Sequence, residues 1–132
     1  MPKQITPPEP VKLRDPISKT YFAQPAFRFE HYLEMAVFQN PKLDNPKGWR
    51  WAAKIVTLVS QNTNQATGIT GPFVLTDEDW KLLADCDADP EYVELDDNGQ
   101  KSAGKGFRGI SASIARQLLP FSDCIQEATS TE

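Results

Sequence analysis

The sequence predicts a mainly α, single compact domain of about four helices, with an extended Pro-rich N-terminal arm and one or two short strands. Three observations predict it. Four stretches carry apolar residues at spacings of three and four, the mark of a helix with one buried face. Six prolines, Pro2, Pro7, Pro8, Pro10, Pro16 and Pro25, crowd the start of the chain, where they break helices and favour extended backbone. The length of 132 residues, 39% of them hydrophobic, suits one core and is short for two domains. The expected division is an arm over 1–25, a helical domain over 26–128 and a frayed, disordered tail over 129–132.

Within the arm, Val11-Lys12-Leu13-Arg14-Asp15 alternates apolar and charged residues as a half-buried or edge strand does, free to pair with its own domain or with a partner. The first helix is expected over 29–39, with Phe29, Tyr32, Leu33, Ala36 and Val37 on one face and Asn40-Pro41 ending it. Phe38 falls off that face, near His31, either turned to a partner or simply exposed. A second helix over 49–61 has so wide an apolar arc, from Trp49 and Trp51 to Val59, that one neighbour cannot cover it. It is read as the central helix, with an oligomer face as the alternative.

Residues 60–71 are rich in Asn, Gln, Thr and Gly and read as a flexible surface loop. Phe73-Val74-Leu75 suits a short strand. Thr76 is placed to cap a helix over 77–86, with Asp79 at the reciprocal position and Leu75 and Trp80 as a hydrophobic staple. The run Asp77-Glu78-Asp79 then sits where the helix dipole favours negative charge, which explains it without a metal. A second short strand is expected over Tyr92 to Leu95, followed by a polar, glycine-rich loop from Asp96 to Gly109. A last helical run over 111–127 places Ile110, Ile114, Leu118, Phe121, Ile125 and Ala128 in one stripe, with Pro120 kinking it or starting a new helix.

Acidic residues outnumber basic ones, 18 against 14, so no general attraction to nucleic acid or anionic lipid is expected. The aromatics Tyr21, Phe22, Phe27 and Phe29 interleave with Lys19 and Arg28, which could stack on single strands but reads better as a core entry or a protein-binding anchor. No apolar run approaches the roughly 20 residues of a bilayer span, and the start lacks the order of a secretory signal. A soluble, cytoplasmic protein is expected. Cys86 and Cys124 are too few and too separated for a metal knuckle or a disulfide framework and read as reduced thiols in or near the core.

Gly99-Gln100-Lys101-Ser102-Ala103-Gly104-Lys105-Gly106 matches a phosphate-binding loop up to its last position, where Gly106 lacks the hydroxyl that a magnesium ion needs. What remains is a loop with a small basic patch of Lys101, Lys105 and Arg108. Glu94, Asp96, Asn98 and Gly99 begin like a calcium loop, but Lys105 stands where the bidentate glutamate belongs, so Asp97-Asn98-Gly99 reads as a turn. His31, the single histidine, has no nucleophile or metal pair recognisable beside it. No catalytic, cofactor-binding or metal-binding residue is therefore expected.

Leu13-Arg14-Asp15-Pro16, the helix Phe29 to Gln39 ending in Asn40-Pro41, Leu75-Thr76-Asp77-Glu78-Asp79-Trp80-Lys81-Leu82-Leu83 and Arg116-Gln117-Leu118-Leu119-Pro120-Phe121 follow one another in an order that resembles small tailed-phage virion-morphogenesis proteins such as tail assembly chaperones. The resemblance covers about half of the chain. It implies a non-enzymatic protein that holds a virion structural protein during assembly, in the host cytoplasm. The alternatives are a small regulator or inhibitor that binds a host enzyme and, more remotely, a nucleotide or phosphate binder using Gly99 to Gly106. Candidate protein contacts are Val11, Leu13, Phe22, Phe38, Trp49 and Trp51, and a homo-oligomer is a further expectation.

Overall fold

A computed structural model describes residues 2–15, 17–21, 26–107 and 110–130. Helices dominate, as the apolar spacing requires. Helix α1 spans Phe29–Phe38 and stops before Asn40-Pro41; there the Asn40 side chain accepts from the Lys42 backbone N–H at 3.0 Å and starts a single 3-10 turn over Pro41–Leu43. Asn45 caps α2, Pro46–Gln61, by accepting from the Gly48 N–H at 2.8 Å, with Pro46 in the first turn, where its missing N–H costs nothing. Helix α3, Asp77–Ala88, begins as its sequence dictates: Thr76 Oγ1 accepts from the Asp79 N–H at 3.2 Å. The closing run is broken into α4, Ala112–Ala115, a 3-10 turn over Arg116–Leu118, and α5, Leu119–Gln126, with Pro120 in the first turn of α5.

The strands outnumber the one or two expected. Strand β1, Lys3–Ile5, lies between β2, Phe73–Leu75, and β5, Thr129–Ser130, antiparallel to both, with Ile5 opposite Phe73 and Gln4 opposite Thr129. The frayed tail is thereby corrected at Thr129 and Ser130, and the extended arm pairs with its own domain from its first residues, with Ile5 wholly buried. Proline density rightly excluded helix near the start but hid a three-residue strand that needs partners from the other end of the chain. Val11 bonds Phe27 in both directions, at 2.9 and 2.7 Å, and Gln117 clasps the Arg14 backbone at 2.8 and 2.7 Å. The arm is thus strapped to its own domain, with Val11 and Leu13 against the core.

The polar stretch after Leu95 is corrected from loop to hairpin. Strands β3, Glu91–Leu95, and β4, Lys101–Lys105, pair with Leu95 opposite Lys101 and Glu91 opposite Lys105. The Asp96 carboxylate accepts from the Asn98 and Gln100 N–H groups at 2.9 and 2.8 Å, and Gly99 takes the positive φ of +75° that the turn demands. The 60–71 segment is also pinned. Thr63 and Thr70, both buried, share a 2.8 Å hydroxyl contact, and Arg28 reaches across to donate to the Gln65 carbonyl at 3.1 Å.

Phe29, Leu33 and Val37 from α1, Ile55 and Val59 from α2, Leu83 from α3, and Leu118, Phe121 and Ile125 from the closing run form the core, with Ile5 beneath the sheet. Helix α2 buries only Gly48, Ala52, Ile55 and Val59 fully, so the central-helix expectation is corrected: α2 packs along α1 with its outer side open. Among the described residues no helix is long and apolar enough to cross a membrane.

Candidate functional site

Catalytic chemistry would be sought first at the buried polar groups. Asp87, in the last turn of α3, is 5% exposed and accepts from the Tyr32 hydroxyl at 2.5 Å, Ser122 Oγ at 2.7 Å and Gln126 Nε2 at 2.9 Å. Gln126 also donates to the Ala84 carbonyl at 2.9 Å. These donors come from α1 and α5, so one carboxylate ties three helices. Phe107 and Phe121 stack around Tyr32, with ring centroids 5.1 and 5.6 Å away. Burial, then the Asp87 charge, pushes the Tyr32 phenol far above its usual range and holds it protonated. The neighbouring Cys124 thiol donates to the Phe121 carbonyl at 3.0 Å, and burial followed by Asp87 pushes it up to about 12. A thiol shifted that way is a poor nucleophile at neutral pH. Cys86 is buried and pushed up to about 11, again mainly by desolvation. This cluster joins three helices through one carboxylate.

His31 is exposed on α1, its ring edge-on to Phe27 at 6.3 Å. Among the described residues, no group of three or more His, Cys, Asp or Glu is placed to hold a metal. The phosphate-loop look-alike is a turn followed by β4, so its backbone groups serve the β3 ladder rather than a ligand. Gly104 lies against the Tyr92 ring. Of the basic patch, Lys105 donates to Glu91 at 2.7 Å and to Asp89 at 3.2 Å, contacts that raise its pKa, and Lys101 lies 3.9 Å from Asp44. Arg108 lies outside the described residues, as does Phe22.

The surface carries more than the interior. At the start of α2, a pocket of about 170 Å³ is floored by Leu43, Gly48, Trp51 and Leu82 and rimmed by Lys42, Asn45 and Lys47. Gly48 is needed there because a Cβ would strike the Leu43 carbonyl. Trp51 is fixed by its indole N–H, which donates to Asp79 at 3.0 Å beside Lys54 at 2.7 Å. Trp49, close by on the open side, is 56% exposed, with its indole N–H on Asp44 at 3.1 Å. Comparison of the chain with family models, curated proteins and solved structures returns no match. The geometry of these surfaces therefore carries the functional argument.

A second depression, of about 430 Å³, runs along the outer face of α1 between Phe27, His31, Glu34, Met35, Phe38 and Gln39, with Phe38 57% exposed. The sequence candidates thus separate. Trp51 lines the α2 pocket while Trp49, two residues earlier and so on another side of the helix, stays exposed; Phe38 stands on α1, and Val11 and Leu13 belong to the domain's own packing. Leu82 was missed as a surface residue, and Leu43 as the buried floor of the pocket. Leu82 follows Trp80 by two and precedes Leu83, so α3 has more apolar positions than its buried face uses, and that excess was the readable sign.

Proposed function

We propose that this chain is a non-enzymatic binding protein that holds another protein during assembly, with the mouth of the α2 pocket as its contact. The observation that carries the reading is the small apolar pocket lined by Leu43, Trp51 and Leu82 and rimmed by Lys42 and Lys47, with the half-exposed Trp49 following its Gly48 in the chain. A large, rigid aromatic with a polar N–H is the residue type that anchors protein interfaces. A pocket of that size takes one apolar side chain. The two lysines favour a partner segment with carboxylates beside that anchor. The resemblance to tailed-phage assembly proteins supplies the class of partner, a structural protein of the virion.

Co-expression of the chain with the products of its neighbouring genes, followed by affinity capture and titration, tests this. Trp49→Ala and Leu82→Asp are expected to weaken capture by roughly thirtyfold or more, the loss typical of an interface anchor of about 2 kcal/mol. The far-UV circular dichroism of both variants should match the parent. Failure to capture any neighbour, or capture indifferent to both substitutions, overturns the proposal.

A further inference from the structure

The outer face of α1 carries a pattern that the α2 surface does not explain. The buried residues Phe29, Tyr32, Leu33, Ala36 and Val37 define the core side of α1. On the opposite side, His31, Glu34 and Phe38 stand at spacings of three and four, and Phe27, just before the helix, contributes its ring to the same groove four residues earlier. The spacing of three and four over His31, Glu34 and Phe38 is that of a helix–helix seam, and the Phe27 ring, from extended backbone before α1, closes one end of it. A solvated helix face would carry polar residues there; this one is aromatic at both ends and carries an imidazole and a carboxylate in the middle.

That order is self-complementary. When two copies of α1 lie antiparallel about a twofold axis, Phe38 of each meets Phe27 of the other and His31 of each meets Glu34 of the other. In either protonation state the imidazole keeps an N–H to donate to a carboxylate. Among the described residues Glu34 has no ion pair within its own chain, so its charge remains available. An isologous contact requires such matching of a patch with itself, and a parallel arrangement would oppose like residues instead.

We infer that the chain forms a twofold homodimer through α1, with the Phe38 ring of each copy seated in the Phe27–His31 groove of the other. A ten-residue helix is only about 15 Å long, so the contact falls at the small end of specific interfaces and gives a reversible, concentration-dependent dimer. The inference is independent of the α2 pocket, which lies on another surface.

Sedimentation velocity of the full chain between about 10 µM and about 0.5 mM tests it, a range in which even a Kd near 1 mM produces visible dimer. The parent is expected to shift reversibly from monomer to dimer. His31→Glu opposes carboxylates across the axis twice, and together with Phe38→Ser it should weaken the dimer at least about tenfold when each is tested alone. Adding Glu34→Lys to His31→Glu restores opposite charges and should recover the association. Trp49→Ala should leave it unchanged. A parent that is monomeric at about 0.5 mM, a dimer indifferent to His31→Glu, or a double variant no tighter than His31→Glu alone each overturns the inference.

Discussion

Tyr32 and Asp87 show how a single buried pair can govern both packing and pH response. The phenol donates to the carboxylate at 2.5 Å inside a shell of Phe107 and Phe121. Desolvation and the Asp87 charge raise its folded-state pKa well above the value near 10 expected in the unfolded chain. A group raised on folding contributes its full stability below the unfolded value and loses it as pH rises beyond. Tyr32→Phe should therefore cost about 1.5–3 kcal/mol at pH 7, the range for a hydrogen bond to a charged group. The gap between parent and variant should close above about pH 10. Urea unfolding at neutral and alkaline pH reads both effects; a gap that is constant with pH would contradict the assignment. None of this was legible in the sequence, because Tyr32 and Asp87 are separated by more than fifty residues and each reads alone as an ordinary helix position.

At the scale of the element, α3 is the part most fully written in local sequence. Thr76 caps it, and Asp79 sits in its first turn, but Asp79 does more than cap. Its carboxylate also accepts from Trp51 and pairs with Lys54 across to α2. Burial opposes ionisation of Asp79, yet the bonds from Lys54, Trp51 and Thr76 prevail and hold it below its ordinary range. A depressed carboxylate gives its stability above the unfolded pKa, near 3.9, and loses it as pH falls through the lower folded value. Asp79→Ala is expected to cost about 1–2 kcal/mol at neutral pH, with the difference vanishing well below pH 3.9. Thermal melts across acidic pH check it, and an acid-insensitive difference would place the cost in charge-independent packing rather than in the ionised carboxylate. The hairpin β3–β4 marks the opposite case: Asp97-Asn98-Gly99 announced a turn, but β4, Lys101-Ser102-Ala103-Gly104-Lys105, has no apolar alternation and becomes a strand only because β3 offers it a ladder.

Across the whole molecule, the two ends of the chain meet in one sheet. Strand β1 is its middle member, and Lys3 Nζ donates to Ser130 Oγ at 2.9 Å while lying over the Trp80 ring. The first residues therefore act as a strap packed in one cluster with Phe73, Leu75 and Ile125. Ile5→Ala should cost about 2–5 kcal/mol, as for other fully buried isoleucines, and removal of residues 2–6 should cost more and broaden the unfolding transition. Equal urea midpoints for the truncated and full chains would show that the arm is dispensable. The contact surfaces obey the same distinction of scales. The α2 pocket is assembled from the 3-10 turn, α2 and α3, whereas the α1 stripe lies on one helix and in Phe27, two residues before it.

By itself the sequence determined what depends on neighbours along the chain: the mainly α class, the helix start at Thr76 and the stop before Pro41, since spacing and capping act within a few residues. Only the tertiary structure decided what depends on residues far apart. It turned the arm and the tail into strands of one sheet, placed Asp87 where two other helices supply its donors, and left α2 open on one side. The physical reason is that a backbone ladder or a buried carboxylate is stable only when distant partners satisfy it, and local propensity carries no information about those partners.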